Sequence, residues 1–501
     1  MRKLNALVIM SFALVLASTV RAQSTPGVNN AELKGDYAFT FNGMTTGGGG
    51  ASTVFAAVGR FTADGVGNVT NGELDTNGAG PQERLTALTF TGIYAIGADH
   101  RGVMTLYIPG GGKLAFAMMA NGNAQFIEVD AGGGTGTVGS GTMEKVDTTA
   151  YNTAKITGNY AFGVAGLDSW NNRTAIAGRL TANGAGILTD GSADVNQSGM
   201  FTTWTGYAAQ YAVSDTTSGR GIMILPPLVG GVPQNLNLVF YVVNAGKLFA
   251  MEVDPVTILT PLLNGVVLQQ QSAIGGFSNA SLNGGMVMYL TGRSASGCGR
   301  GTGPAPNVLV GLLTGDSNGA LTLTYDQNCG GAPGSATGLF GTYSVASNGR
   351  AAIRIGADYV AAYVVSSNQA FFLVPDSSVL FGFGEPQAAG SFANSAVNGR
   401  YAGSTTTPAT LGAVIFSGEF TADGAISTGN ITGTEDIGAA SGPSLGVAAS
   451  ATYSISSFPT NGRGTIGGSI GGSGIVYVVS TSKFVVVSLS DPNPAALIFG
   501  Q

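Results

Sequence analysis

One set of phrases returns four times along this 501-residue chain, always in the same order. The clearest is Gly59-Arg-Phe-Thr-Ala-Asp-Gly-Val-Gly-Asn68. It returns as Gly178-Arg-Leu-Thr-Ala-Asn-Gly-Ala-Gly186, Gly311-Leu-Leu-Thr-Gly-Asp-Ser-Asn-Gly319 and Gly418-Glu-Phe-Thr-Ala-Asp-Gly424. An opening strand precedes each copy: Gly35-Asp-Tyr-Ala-Phe39, Gly158-Asn-Tyr-Ala-Phe162, Gly284-Gly-Met-Val-Met288 and Gly399-Arg-Tyr-Ala-Gly403. A second tyrosine strand follows, around Tyr94, Tyr211, Tyr343 and Tyr453, and then a turn with Arg101, Arg220, Arg350 or Arg463. Each unit closes on an apolar hairpin that ends in an acid: Asp130, Asp254, Asp376 or Asp491. Equivalent positions lie about 115–126 residues apart, which is domain length and not solenoid length. Each unit can therefore bury a core of its own. The intervals define four tandem domains, 31–147, 155–271, 279–385 and 396–501, joined near 146–155, 269–279 and 385–398.

Within a unit the pattern is β. The first unit holds eight runs of period two, at 37–42, 54–63, 67–75, 87–97, 102–108, 113–120, 124–130 and 136–145. Tyr37, Phe39 and Phe41 alternate with Ala38 and Thr40, as on a half-buried strand. Short Gly, Asn and Asp separators make the runs consecutive hairpins. The glycine-rich stretch at 59–68 is then a hairpin turn and not a phosphate or cation loop, and its Asp becomes Asn183 in the second unit. An open eight-stranded meander leaves two bare edges, and closure removes them. The expected fold is all-β, with a small up-and-down barrel in each unit; a two-sheet sandwich is the alternative.

Arg2 and Lys3, followed by an apolar run to Val20, have the form of a signal peptide over 1–22, cleaved after Ala22. The expected mature chain is secreted, periplasmic or held at the cell surface, with no membrane span of its own. Without Arg2, Lys3 and Arg21 it carries 18 basic residues against 27 acidic ones, which disfavours nucleic acid as a partner. An apolar share of 44% is enough to build cores despite 81 glycines.

A meander sorts the connections into two ends. The 59–68 turn and the arginine turn share one end, so Asp64 is expected to pair with Arg101, Asp316 with Arg350 and Asp423 with Arg463. Asn183 is left to hydrogen-bond to Arg220. The longer, more variable loops collect at the other end, where binding usually evolves. Cys298 and Cys329 both fall there, and an even cysteine count in an exported chain invites a disulfide, contributing roughly 3–4 kcal/mol. Asp75 and Asn77, Asp194 and Asn196, and Asp326 and Asn328 lie at that end too. They are candidate Ca²⁺ ligands, with Asx-turn chemistry the simpler account.

The chemistry of known catalytic motifs is missing. His100, the one histidine, has no counterpart in the other units and reads as a solvated turn residue. Gly467-Gly-Ser-Ile-Gly471 lacks the strand-to-helix setting and the histidine of a nucleophile elbow. No catalytic residue, metal site or cofactor is assigned. The phrases quoted above resemble uncharacterised exported Gly-rich β-repeat proteins of soil bacteria, a group without an assigned activity, so the resemblance carries over no functional residue. Three functions follow as expectations. The first is a non-catalytic repeat protein of adhesion, matrix or surface interaction. The second is a barrel module for a small molecule or glycan, lined by Tyr37, Phe39, Phe116 and Phe126. The third is a hydrolase using loop carboxylates. The oligomeric state is not legible.

Overall fold

The computed structural model describes residues 27–46, 52–80, 83–131, 136–230, 235–294, 297–299, 304–406 and 412–501. The expected signal segment lies outside them. In the first unit the strands are β1 (Lys34–Thr46), β2 (Ser52–Asp64), β3 (Asn68–Gly78), β4 (Leu85–Ile96), β5 (Arg101–Tyr107), β6 (Lys113–Met118), β7 (Ala124–Glu128) and β8 (Gly136–Lys145). Each pairs antiparallel with the next, and β8 returns to β1, so the sheet closes. The other three units repeat this, from Thr157–Leu167 to Leu262–Gln269, from Asn283–Ser294 to Phe381–Pro386, and from Asn398–Thr405 to Ala496–Gly500. Each unit is thus a closed eight-stranded up-and-down barrel and not a sandwich.

Aromatic rings fill the interiors. Tyr37 stacks on Phe61 at 5.5 Å, and Phe126 meets both Phe39 and Phe41. These side chains are core packing and do not line an open pocket within the barrel. Glycine enters the core as the partner of a ring. Gly221 sits opposite Phe240 and Gly102 opposite Phe116, and the ring lies directly over the space where a Cβ would be. Phe240 is fully buried and has nowhere to retreat. Replacing Gly221 with valine is expected to destabilise the chain by about 1–3 kcal/mol through overpacking, read as a lowered denaturant midpoint at unchanged slope.

The second tyrosine of each unit closes one barrel end. Tyr94 donates to the Leu33 carbonyl at 2.7 Å, Tyr211 to Ile156 at 2.6 Å, Tyr343 to Leu282 at 2.7 Å and Tyr453 to Val397 at 2.6 Å. Each thereby holds the short 3₁₀ turn that leads into its unit, such as Asn30–Glu32.

The barrels do not hang as beads. The first two or three strands of each barrel pack on the sixth to eighth strands of the next, and those of the fourth barrel pack on β6, β7 and β8 of the first. The same pair of unlike faces meets at all four junctions. A head-to-tail contact of this kind closes into a ring when its rotation allows. Four apolar clusters separate from the barrel cores seal the junctions, among them Val54, Ala56 and Val58 against Val239, Val243 and Met251. The chain connections are bound down as well: Asp147, Gln271 and Ala388 each donate a backbone N–H to the following barrel, at Val243, Val365 and Val479.

Candidate functional site

The polar residues singled out from sequence build the junctions. On β3, Leu74 points into the core, so Asp75 points outward to the neighbour. Asp75 is fully buried there and takes both arms of Arg220 from the second barrel at 2.8 Å, with the Tyr241 hydroxyl donating at 2.8 Å. Asp194 takes Arg350 at 2.8 Å and Tyr363 at 3.0 Å, and Asp326 takes Arg463 and Tyr477 at 2.7 Å. Two residues on, Asn77, Asn196 and Asn328 each donate Nδ2 to two backbone carbonyls of the next barrel. These Asp and Asn residues are interlocks between barrels; their polar groups are shared between side chains and carbonyls of the neighbour and amides and hydroxyls of their own barrel.

The expected pairs within units are not formed. Asp64 and Arg101 do share one end of the barrel, but the Asp64 carboxylate is saturated by its own turn, accepting from the N–H groups of Val66, Gly67 and Asn68 and from the Asn68 side chain at 2.6 Å. The Asn68 side-chain amide, with the turn amides, holds its pKa down at about 2. Asp316 and Asp423 likewise accept from the amides of their own turns, and Asn183 accepts from Ala185 and Ile187. Arg350 and Arg463 reach instead to the preceding barrel, and so does Arg220. Arg101 reaches across the ring closure to Asp436 of the fourth barrel at 2.6 Å, and to Asp99. His100, expected in solvent, bonds to Glu32 at 2.7 Å. Cys298 and Cys329 are joined in a disulfide, with Cα atoms 5.8 Å apart.

The carboxylates at the strand ends have little space around them. Glu252 is fully buried, and burial, followed by Asp254, pushes it up to about 9. Beside this pair lies a space of about 10 Å³ between Pro227, Leu228 and Leu259, too small for a sugar ring.

The large cavity lies elsewhere. About 490 Å³ of space opens between the four barrels, walled by the first and last strands of all of them with flanking residues. Aromatic and aliphatic side chains form much of the wall, including Phe249, Phe371, Phe381, Phe383, Leu167 and Val266. One end carries two ion pairs across junctions, Glu144 with Lys247 at 2.6 Å and Glu385 with Lys483, and the Tyr289 hydroxyl donates to Glu385 at 2.7 Å. Burial, and Glu385 beside it, push Tyr289 upward in pKa. Midway, Asn264 accepts from Thr40 and Asn42, while its own Nδ2 has no partner among the described residues. At the other end Arg173 donates Nη2 to the Thr291 carbonyl and hydroxyl at 3.2 and 3.3 Å and Nε to the Val379 carbonyl at 3.4 Å. Burial, with the nearby Arg293 guanidinium, lowers Arg173 to about 10. Sequence reasoning missed this cavity because no repeated phrase marks it. It exists only where four barrel seams converge.

Fold and cavity together define a closed ring of four eight-stranded barrels around an axial space. No family model matches the chain, and no curated protein matches it. Among solved structures it is similar to a protein of unknown function from the DUF3598 family of Nostoc punctiforme PCC 73102, at 9% identity and a TM-score of 0.14, over 60% of this chain and 97% of that one. A likeness that distant carries no argument.

Proposed function

We propose that this is an exported, non-catalytic binding protein that seats one small apolar molecule in the axial cavity of its ring. The observation that supports this is the 490 Å³ space itself, within the usual size of ligand sites, with apolar walls and a few placed polar groups. The barrels are packed with their own aromatics, so the ligand count becomes one per chain and not one per barrel. Export rests on the signal-like start and on the resemblance to exported β-repeat proteins. A surface-interaction role finds support in exposed Trp170, Met200, Phe340 and Phe458, spread over several barrels. The binding reading is tested with the neutral dye N-phenyl-1-naphthylamine. Saturable fluorescence enhancement at one dye per chain is expected, and Ala165→Trp, which fills the cavity wall, is expected to abolish it. Dye binding that is unsaturable, or indifferent to that substitution, would sink the proposal.

A further inference from the structure

We infer that the molecule seated in the axial cavity is elongated and apolar with a single anionic head group, and that the head lies against Arg173; this rests on the cavity being a ligand seat.

Charge has to balance in so confined a space. Five charged side chains line the cavity: Glu144, Arg173, Lys247, Glu385 and Lys483. Each glutamate is bonded to a lysine, so four of the five charges cancel. Arg173 is the remainder. Its hydrogen bonds go to neutral acceptors, the Thr291 and Val379 carbonyls and the Thr291 hydroxyl, and no carboxylate among the described residues pairs with it. Arg173 is half-buried, and a charge partly withdrawn from bulk water gains from an opposite charge beside it. Nε and Nη2 of Arg173 are engaged by Val379 and Thr291, which hold the guanidinium in place and leave Nη1 as the donor for a carboxylate or sulfonate oxygen.

Register gives the shape. Arg173 stands opposite Leu167, and Lys247 stands opposite Leu268, which pairs with Ala161 on the same strand as Leu167. Leu167 lies six residue steps beyond Ala161, about 20 Å along a strand. Between these ends the wall is Phe371, Phe383 and Val266, with Phe381, Leu167 and Leu262 around the arginine. The far end has its own charges satisfied, so the ligand needs no second charge there.

The test compares two dyes of similar ring system on the full chain: anionic 8-anilinonaphthalene-1-sulfonate and neutral N-phenyl-1-naphthylamine. Arg173→Met is expected to weaken the sulfonate by about tenfold or more, the loss of one charge-assisted pairing. The neutral dye should bind the variant as before, which also shows that its cavity is intact. Arg173→Lys should restore part of the sulfonate affinity. If both dyes bind the parent and the sulfonate binds Arg173→Met equally well, the anionic head is wrong while the seat stands. If neither dye binds saturably, the seat falls and this inference with it.

Discussion

Asp194→Ala is expected to lower the stability of the whole chain by about 3–5 kcal/mol, the cost of breaking a buried ion pair on one side. Asp194 is fully buried between the second and third barrels and accepts from Arg350, from the Tyr363 hydroxyl and from Thr203. Its removal leaves a guanidinium, 26% exposed, without a carboxylate and with only the Tyr359 hydroxyl, and a fully buried phenol with only the Ser192 hydroxyl at 3.4 Å. The companion variant decides the mechanism. Asp194→Leu with Arg350→Met should recover most of the loss, because apolar side chains of similar size restore the seal without an unmatched charge. Calorimetry on the full chain reads both. An Asp194→Ala melting point indistinguishable from the parent's would show that the apolar contacts alone hold this junction. The same change at Asp436 should cost less, because Arg101 keeps Asp99 as a partner.

Repetition and alternation carried the fold. Eight short runs per unit, separated by turn residues, leave little besides a meander, and bare edges argue for closure. The ion pairs were misassigned for a physical reason. Along a strand, alternation says that Asp75 faces outward, but it is silent on whether water or another barrel lies outside. A pattern in the repeats does hold the answer. The phrase Asp-x-Asn stands at Asp75, Asp194 and Asp326, in units one to three, and becomes Asp436-Ile-Gly438 in unit four. The phrase Tyr-Val-Val stands at Tyr241, Tyr363 and Tyr477, in units two to four, and becomes Ala117-Met-Met119 in unit one. One half of a lock missing from the last unit and the other half missing from the first is what a chain of n-to-n+1 contacts produces. The ring closure keeps the Asp436–Arg101 pair and lacks both the Asn and the Tyr. There a Cβ at Gly438 would come within 3.0 Å of the Glu128 carbonyl oxygen, and Ala117 takes the place of the tyrosine opposite the arginine. The axial cavity leaves a fainter trace: Glu144 and Glu385 stand opposite Ala38 and Val287, the same place in units one and three, and Lys247 and Lys483 open the seventh strand of units two and four, whereas Arg173 is replaced by Val54, Pro306 and Ala413 at the matching places of the other units.

That closing junction is also where acidity gathers. Glu419, Glu435 and Asp436 are each less than a tenth exposed, with Asp99 and Glu32 close by and Arg400 and Arg101 as the cations. Desolvation outweighs the Arg400 guanidinium and pushes Glu419 up to about 8; desolvation and then Asp436 push Glu435 up to about 7. A carboxyl whose pKa is higher folded than unfolded keeps its proton better in the folded state. Its contribution to stability is then whole below the unfolded value, near 4.5, and is lost as pH rises towards the folded value. For Glu419 that window is about pH 4.5 to 8, and every tenfold difference in proton affinity between the two states corresponds to about 1.4 kcal/mol. Glu419→Gln removes the ionisation while keeping the shape. The variant should match or fall slightly below the parent at pH 4.5, where Arg400 gains nothing from a protonated partner in either protein. At pH 8.5 it should exceed the parent by on the order of 3 kcal/mol, since the parent alone holds a buried charge. Parallel melting curves for parent and variant at the two pH values isolate this group from the other buried acids, which both proteins share. A parent-to-variant difference that stays constant with pH would mean that Glu419 is ionised throughout and that its pairing with Arg400 governs the junction.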